Sequence, residues 1–315
     1  MKTIVTESAD EAARFIREGG TVAFPTETVY GLGADVFNEA AVAKVFEAKD
    51  RPADNPLIAH VGDSSHIERL VGSIPDSAQA FIDTFFPGPL TLVMPKAEDV
   101  PAIATSGLDT IGVRMPAEKI TREFLEACRT PVVAPSANVS GRPSPTDWRS
   151  VLEDLEGRID CVLKGKPSRF GLESTVVDCT GDVPVVLRPG AVAIEQLCEV
   201  VPETVTFAGS DETEARSPGM RHKHYSPRAK VVLFDRGAVR QASACPENCA
   251  FIGFGEPPEG SSLTMIVDSA EEYARELFGF FRLCDRKEIE TIICETVPEE
   301  GIGTALMDRL RRAAA

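Results

Sequence analysis

The alternating helix and strand patterns of this chain are interrupted over one long stretch, residues 203–225. On both sides of it, segments with apolar residues at helical spacing alternate with short apolar runs typical of strands, which predicts an α/β protein. Within the stretch the periodicity fails and Thr, Gly, Ser and Pro dominate. Because a chain of 315 residues also exceeds what one compact core usually holds, we expect two domains, at residues 1–205 and 229–315, joined by a linker at 206–228.

The first domain is predicted to be a mixed sheet with helices packed on it. Strands are expected at residues 21–24, 57–61, 90–94, 110–114, 132–134, 161–164, 174–179 and 184–187. Helices are expected at residues 7–17, 38–48, 75–85, 118–128 and 147–155. The strands after residue 161 follow one another closely, which favours a mixed sheet over a purely parallel one.

The second domain is predicted to be smaller, with a parallel sheet. Its pattern gives strands at residues 230–234, 250–254, 263–267 and 289–294, and helices at 269–283 and 303–311. Helices that alternate with strands in this order are typical of a small parallel sheet.

The charge distribution restricts the ligands that this chain can bind. Its net charge of −16 repels nucleic-acid phosphate in general, so a bound anion must meet a local reversal of sign. The clearest reversal is residues 215–234, which hold five Lys or Arg residues, His222 and His224, and no acidic residue. Prolines bracket its 217–227 portion, and this predicts an extended basic linker.

Several classes of protein are disfavoured. No apolar run is long enough to cross a bilayer, and the N-terminus lacks an apolar signal core, so we expect a cytoplasmic protein with no membrane contact. The eight cysteines form no CxxC pair and are expected to be mostly buried thiols; Cys245 and Cys249 lack the second Cys/His pair of a metal site. No P-loop motif occurs, and Gly31 and Gly33 are interpreted as a tight turn rather than a dinucleotide fingerprint.

Three loops concentrate hydrogen-bonding side chains and cations. Residues 24–33 follow an apolar strand and carry hydroxyls, a carboxylate and a phenol, whereas Lys49 and Arg51 follow a helix. Residues 134–144 follow another strand and are crowded with Ser, Asn and Arg. Backbone amides in such a turn can form a nest for phosphate oxygens, with a nearby Lys and Arg to neutralise charge. A solvated helix end and a polar turn remain as alternatives.

Further candidates stand at strand ends. Arg114 and Arg188 each end an apolar strand, where a guanidinium can grip a carboxylate or phosphate, although a surface salt bridge would look the same. His60, on a strand, would by itself usually be a structural histidine. Ser174 enters a strand from a glycine turn, as in an ordinary edge strand. No catalytic triad or metal-ligand spacing is present, which favours transfer chemistry by positioning and charge neutralisation.

Taken together, these motifs resemble a known family. The run at 24–33, the Lys49-x-Arg51 pair followed by Asn55-Pro56-Leu57, the Ser136-x-Asn138 pair and the 217–227 linker are similar to the two-domain form of the YrdC-like threonylcarbamoyl-AMP synthase family. The resemblance implies a twisted mixed sheet similar to double-stranded-RNA-binding folds, plus a smaller Rossmann-like C-terminal domain. It implies a nucleotidyltransferase that forms L-threonylcarbamoyladenylate and diphosphate from L-threonine, bicarbonate and ATP, for N6-threonylcarbamoyladenosine in tRNA.

The resemblance also assigns residues. The catalytic set falls on Lys49, Arg51, Ser136 and Asn138, with further ATP contacts at Asn55, Thr110, Ser144, Arg188 and His222. Threonine contacts fall on Thr28, His60, Arg114, Ser174 and the backbone of Ala134. Mg²⁺ is expected to arrive with ATP, without a dedicated protein site. The basic linker is expected to close over the triphosphate as a lid.

Two other functions are compatible with parts of this sequence. An RNA-binding or translation-associated module would use the same fold, but the acidic balance predicts weak or no direct tRNA binding. A related carbamoyltransferase domain would need zinc-ligand cysteines and partner domains that this chain lacks. We therefore expect a downstream tRNA threonylcarbamoyltransferase to receive the product.

Overall fold

The computed structural model describes residues 2–207, 226–235 and 248–315. The strands of the first domain are β1 (Ile4–Thr6), β2 (Val22–Phe24), β3 (Gly31–Asp35), β4 (Ile58–His60), β5 (Leu90–Pro95), β6 (Thr110–Arg114), β7 (Val132–Val133), β8 (Cys161–Leu163), β9 (Thr175–Asp178), β10 (Val185–Arg188) and β11 (Val205–Thr206). Its helices are α1 (Ala9–Arg17), α2 (Glu39–Lys49), α3 (Ser65–Glu68), α4 (Asp76–Phe85), α5 (Ala102–Thr105), α6 (Lys119–Cys128), α7 (Trp148–Leu155) and α8 (Ile194–Val200). The C-terminal domain has β12 (Lys230–Phe234), β13 (Cys249–Gly253), β14 (Leu263–Ile266), α9 (Ala270–Arg286), β15 (Thr291–Glu295) and α10 (Ile302–Ala314).

The strands of the first domain form one mixed sheet in the order β1-β8-β2-β3-β7-β4-β6-β5-β9-β10-β11. The neighbouring strands β4 and β6 are parallel. The pairs β2–β3 and β5–β6 are antiparallel. The prediction of a mixed sheet with helices is confirmed. The described part of the C-terminal domain has a parallel sheet in the order β12-β15-β13-β14, as predicted.

The central strands of the first domain are buried on both faces. Val22 and Phe24 of β2 pack in a cluster with α1 and α6, while Ala23 packs in another with α2 and α7. A third cluster joins β4, β5 and β6 to α4. Helices therefore cover both faces around β2, and the polar groups that the sequence analysis singled out extend from strand ends and loops.

The interpretation of Gly31 and Gly33 as a tight turn was wrong, because both lie in β3. β3 runs antiparallel to β2 and to β7, and Leu32 N donates to Pro135 O at 2.9 Å. A Cβ on Gly33 would lie 2.5 Å from Cγ1 of Val132. These glycines permit close strand approach rather than chain reversal.

Other short elements were missed. β1 was not predicted, yet it pairs in parallel with β8, which lies far along the sequence. The short helices α3, α5 and α8 and the edge strand β11 were also missed. Elements of two to seven residues carry too little periodicity to reveal themselves in the sequence. In the part of the chain that the structure describes, no helix is long and apolar enough to cross a membrane.

The two domains pack directly on each other. Val29 and Leu172 of the first domain belong to the apolar cluster formed by α9, α10 and the C-terminal sheet. Gly171 lies so close to α9 that an added Cβ would stand 2.4 Å from Cα of Arg275. The exact domain boundary stays a prediction, because residues 208–225 lie outside the described part of the chain.

Candidate active site

A cleft in the first domain gathers most of the predicted site residues. It contains about 650 Å³ of space not filled by protein atoms, and part of that space is open to solvent. The predicted residues that line it are Thr28, Arg51, His60, Arg114, Ala134, Ser136, Asn138, Ser174 and Arg188. They come from loops and strand ends spread over more than half of the first domain, and the sheet order brings them together.

Lys49 and Arg51 stand where α2 ends. Asn38 caps the start of this helix by accepting from Ala41 N, and Asp50 ends it in the left-handed conformation, with φ of 51°. Arg51 reaches the cleft and donates to the carbonyl oxygens of Asn55 at 3.2 Å and Pro56 at 3.1 Å. The left-handed residue between them turns Lys49 and Arg51 in different directions.

Lys49 does not line the cleft but holds the loop that does. Its ammonium is buried and donates to the carbonyl oxygens of Ser136, at 2.5 Å, and Asn138. Burial, together with the charge of Arg51, lowers the pKa of Lys49 well below its usual range. Phosphate contact by Lys49 stays a prediction.

The loop after β7 presents two oxygen-bearing side chains to the cleft. Ser136 Oγ donates to Asn138 Oδ1 at 2.5 Å. Asn138 Nδ2 donates to the carbonyl oxygens of Val139 and Arg142, both at 2.9 Å. The loop is therefore ordered by its own side chains, and Arg142 adds a cation that also lines the cleft.

Arg114 is held at the end of β6 by the loop after β2. Its Nη2 donates to Glu27 Oε1 at 2.6 Å, and its Nη1 donates to Thr28 Oγ1 at 2.8 Å. Its Nε donates to Gly88 O at 3.3 Å. A guanidinium has five N–H groups, so these three hydrogen bonds leave capacity for a carboxylate in the cleft.

His60 lies at the end of β4 beside Arg114, in the register β4 to β6. Its Nδ1 donates to Ile58 O at 3.1 Å, and its ring packs edge-on against Phe24. Burial and, secondarily, the charge of Arg114 lower the pKa of His60 to about 3. The imidazole is therefore neutral at physiological pH and can act as a hydrogen-bonding wall of the cleft.

Ser174 and Arg188 form another part of the cleft wall. Arg188 donates to Ser174 O through Nε at 3.2 Å and Nη2 at 3.0 Å, and Nη2 also lies 3.3 Å from Ser174 Oγ. Thr91 Oγ1 lies 2.8 Å from the same hydroxyl. Both side chains are buried; Ser174 directly precedes β9, and Arg188 ends β10.

Three of the predicted ATP contacts do not line the cleft, and a fourth is outside the described residues. Ser144 is buried behind the cleft and donates to Glu173 Oε1 at 2.6 Å. Asn55 is buried, and its Nδ2 has no partner among the described residues. Thr110 lines a smaller neighbouring cavity with Pro56 and Ile58. His222, like most of the predicted lid, lies outside the described residues.

Two carboxylates of the site were missed. Glu27 and Glu173 are buried, and each pairs with an arginine distant in sequence, Arg114 or Arg309. The sequence offered only a weak signal, a carboxylate inside a loop already rich in polar residues.

The described residues offer no preformed metal site of their own. Within residues 2–207, 226–235 and 248–315, no three His, Cys, Asp or Glu side chains gather as metal ligands. The oxygens of Ser136 and Asn138 are of the type that Mg²⁺ accepts when phosphate supplies further ligands.

Fold and cleft define a two-domain α/β protein with a cation-lined cleft suited to an anionic ligand, next to a smaller cavity lined mostly by apolar residues. A family model described as telomere recombination, which groups Sua5, YciO and YrdC proteins, matches residues 14–190. A second, described as threonylcarbamoyl-AMP synthase, C-terminal domain, matches residues 192–315. The chain belongs to the threonylcarbamoyl-AMP synthase family, and the predicted family and YrdC-like fold are confirmed.

Individual relatives extend over nearly the whole chain. Threonylcarbamoyl-AMP synthase of Pyrococcus abyssi is 44% identical over 316 residues, covering 96% of this chain and 93% of that protein. The protein of that name from Bacillus subtilis is 39% identical over 321 residues, covering 96% and 92%. A crystal structure of P. abyssi Sua5 complexed with L-threonine matches with a TM-score of 0.90 and 42% identity, covering 99% of this chain and 97% of that one.

Proposed function

We propose that this chain forms L-threonylcarbamoyladenylate and diphosphate from L-threonine, bicarbonate and ATP, for the modification of tRNA. The observation that carries the proposal is the convergence of Arg51, Arg114 and Arg188 on one cleft in a chain of net charge −16. The names of the relatives support the same reaction. The RNA-binding alternative is not favoured, because those relatives are named as synthases.

The proposed reaction uses the cleft to position charge. The threonine amine takes up carbon dioxide from bicarbonate with release of water, and an oxygen of the resulting carbamate attacks the α-phosphorus of ATP while diphosphate leaves. Arg114 would pair with the threonine carboxylate beside the neutral His60, and Arg51 would offset charge that grows on the leaving diphosphate. Mg²⁺ bound to the phosphates would supply further positive charge next to Ser136 and Asn138.

The product would pass to a transferase that acts on tRNA. An acyl adenylate reacts with water, so the buried walls of the cleft would protect it until transfer. The basic linker remains our candidate for a lid over the triphosphate, and its residues 208–225 lie outside the described part of the chain.

The test is diphosphate release measured with each substrate omitted in turn. We expect release only when ATP, L-threonine and bicarbonate are all present. Arg51→Ala should lower the rate by about a hundredfold or more, as expected for loss of a charge-stabilising contact. Arg122→Ala, an exposed cation on α6 outside the cleft, should leave it unchanged. Release that does not depend on threonine would contradict the proposal.

A further inference from the structure

Two arginines of the C-terminal domain are fully buried where it meets the first domain. Arg282 on α9 is 1% exposed and Arg309 on α10 is 0% exposed. Burying a guanidinium is unfavourable unless carboxylates and carbonyl oxygens surround it. Both arginines find such partners in the first domain, directly behind the walls of the cleft.

Arg282 binds the loop that carries Ser136 and Asn138. Its Nη2 donates to Asp154 Oδ2 at 2.8 Å and to Pro143 O at 2.6 Å, and its Nη1 donates to Asp154 Oδ1 at 3.2 Å. The same carboxylate accepts from Val139 N at 3.3 Å and from the Arg142 side chain. The carboxylate of Asp154 thus connects α9 to both arms of this loop.

The position of residues 139–143 also determines the orientation of the Asn138 side chain, which lines the cleft. Asn138 Nδ2 donates to the carbonyl oxygens of Val139 and Arg142, so its orientation depends on where that segment lies. Lys49 holds the other side of the turn through the carbonyl oxygens of Ser136 and Asn138. The loop is therefore clamped from α2 in its own domain and from α9 in the other.

Arg309 reaches the opposite wall. Its Nε donates to Glu173 Oε2 at 2.9 Å, and its Nη2 donates to Pro189 O at 3.2 Å, next to Arg188. The other oxygen of Glu173 accepts from Ser144 Oγ at 2.6 Å. Burial alone would raise the pKa of Glu173, but the charges of Arg309 and Arg188 and the Ser144 hydroxyl outweigh it, so the pKa lies below its usual value.

We propose that Arg282 and Arg309 are positioning residues through which the C-terminal domain orders residues 136–144 and Glu173 for nucleotide binding. Each arginine touches the back of the cleft and acts through another side chain, Asp154 or Glu173. The identity of the nucleotide as ATP rests on the proposed function. The ordering of residues 136–144 by the two arginines does not depend on the proposed function.

An ion pair that only holds the two domains together should leave the order of residues 136–144 unchanged when it is removed. The chain contains such a pair, which serves as the control. Arg286 lies one helical turn after Arg282 and also crosses the interface, to Glu153 at 3.0 Å, but this pair is exposed and does not touch the loop. For Arg309 the control is Arg311 on the same helix, an exposed arginine whose Nη1 donates to Glu299 Oε2 at 2.8 Å.

The experiment compares Arg282→Gln and Arg309→Gln with Arg286→Gln and Arg311→Gln in the full chain. Hydrogen exchange without ligand should speed up about tenfold over residues 136–144 only in the first pair, as expected for loss of roughly one charged hydrogen bond. In the same pair the KM for ATP should rise about tenfold or more, with a smaller change in the KM for L-threonine. The split between the two KM values is something a loss of overall stability would not produce.

Two further arms keep the test decisive. If circular dichroism shows that a glutamine variant is unfolded, Arg282→Lys and Arg309→Lys take its place. They retain the positive charge but lack the planar guanidinium with its several donors, and they should show the same changes at smaller size. Equal loop exchange and equal ATP KM in test and control variants would overturn the proposal. If the wild-type chain releases no diphosphate, the proposed function fails, and loop exchange alone decides the positioning role.

Discussion

The carboxylate of Glu27 lies 2.6 Å from Nη2 of Arg114, and both side chains are almost fully buried. Its second oxygen accepts from Ala117 N at 3.1 Å, which ties the loop after β2 to the chain just past β6. The guanidinium that we expect to bind the threonine carboxylate is thus oriented before any ligand arrives. Such preorganisation lowers the cost of binding.

Glu27→Gln should therefore weaken threonine binding more than ATP binding. The amide keeps the shape but loses the charge, and a hydrogen bond to a charged group contributes about 1.5–3 kcal/mol, so we expect the KM for L-threonine to rise about tenfold or more. Exposed Glu123, paired with Lys119 on α6, provides the control Glu123→Gln. Steady-state diphosphate release checks both, and equal KM values for threonine in the two variants would contradict the role of Glu27.

Lys49→Ala should disorder the loop at 136–138. The buried ammonium is the donor to two carbonyl oxygens of that loop, and its removal leaves both buried acceptors unsatisfied. We expect at least about a hundredfold loss of kcat/KM, because each buried acceptor left unsatisfied costs roughly 1–3 kcal/mol. The comparison is Lys44→Ala on the same helix, whose Nζ donates to Gly19 O at the surface. Wild-type turnover in folded Lys49→Ala would refute both the loop role and a phosphate contact.

The sequence predicted the parts of the site that depend on short spacing. One helix end sets the positions of Lys49 and Arg51, and one turn sets those of Ser136 and Asn138. Their local geometry therefore follows from adjacent residues. Strand ends carrying Arg114 and Arg188 were also recognised, because an arginine after an apolar run is conspicuous. The resemblance then supplied roles that spacing alone left open.

The remaining features depend on contacts between distant segments. Glu27 pairs with a residue 87 positions away and Glu173 with one 136 positions away, and no local pattern specifies either partner. Gly31 and Gly33 read locally as a turn, and only the approach of β7 shows why small residues are needed in a strand. Likewise β1 exists because β8 is there to pair with it.

Acid should destabilise the wild-type chain through His60. Burial and the charge of Arg114 lower its pKa to about 3, whereas in the unfolded chain a histidine has a pKa of about 6.5. The unfolded state therefore binds more protons between these values, and this contribution to stability is full above about pH 6.5 and is lost as pH falls toward about 3, by up to about 1.4 kcal/mol per pH unit.

His60→Gln removes this titration. The difference in the free energy of unfolding between wild type and variant, measured by urea denaturation, should be constant above about pH 6.5 and should shift against the wild type at lower pH. A difference that is flat from about pH 7 down to about pH 4.5 would show that the histidine titrates normally.

Gly171→Ala should weaken the docking of the two domains. Gly171 has φ of +75°, and a Cβ there would lie 2.4 Å from Cα of Arg275 and 2.5 Å from the carbonyl oxygens of Ala274 and Arg275, all on α9. These are backbone atoms of a packed helix, so the domains must move apart locally. We expect a loss of about 1–2 kcal/mol from the left-handed conformation and roughly 1–3 kcal/mol more from overpacking.

Gly260→Ala separates these two costs. Gly260 has a similar φ of +89°, but a Cβ there would meet nothing within 4 Å, so only the conformational cost applies. Urea denaturation should therefore show a clearly larger loss for Gly171→Ala. Because Gly171 leads directly into Leu172 and Glu173, the same variant should also raise the KM for ATP, while Gly260→Ala should leave it unchanged. Equal losses of stability in the two variants would mean that the interface accommodates the added Cβ without a loss of free energy of unfolding. The close approach of Gly171 to α9 would then not contribute to stability.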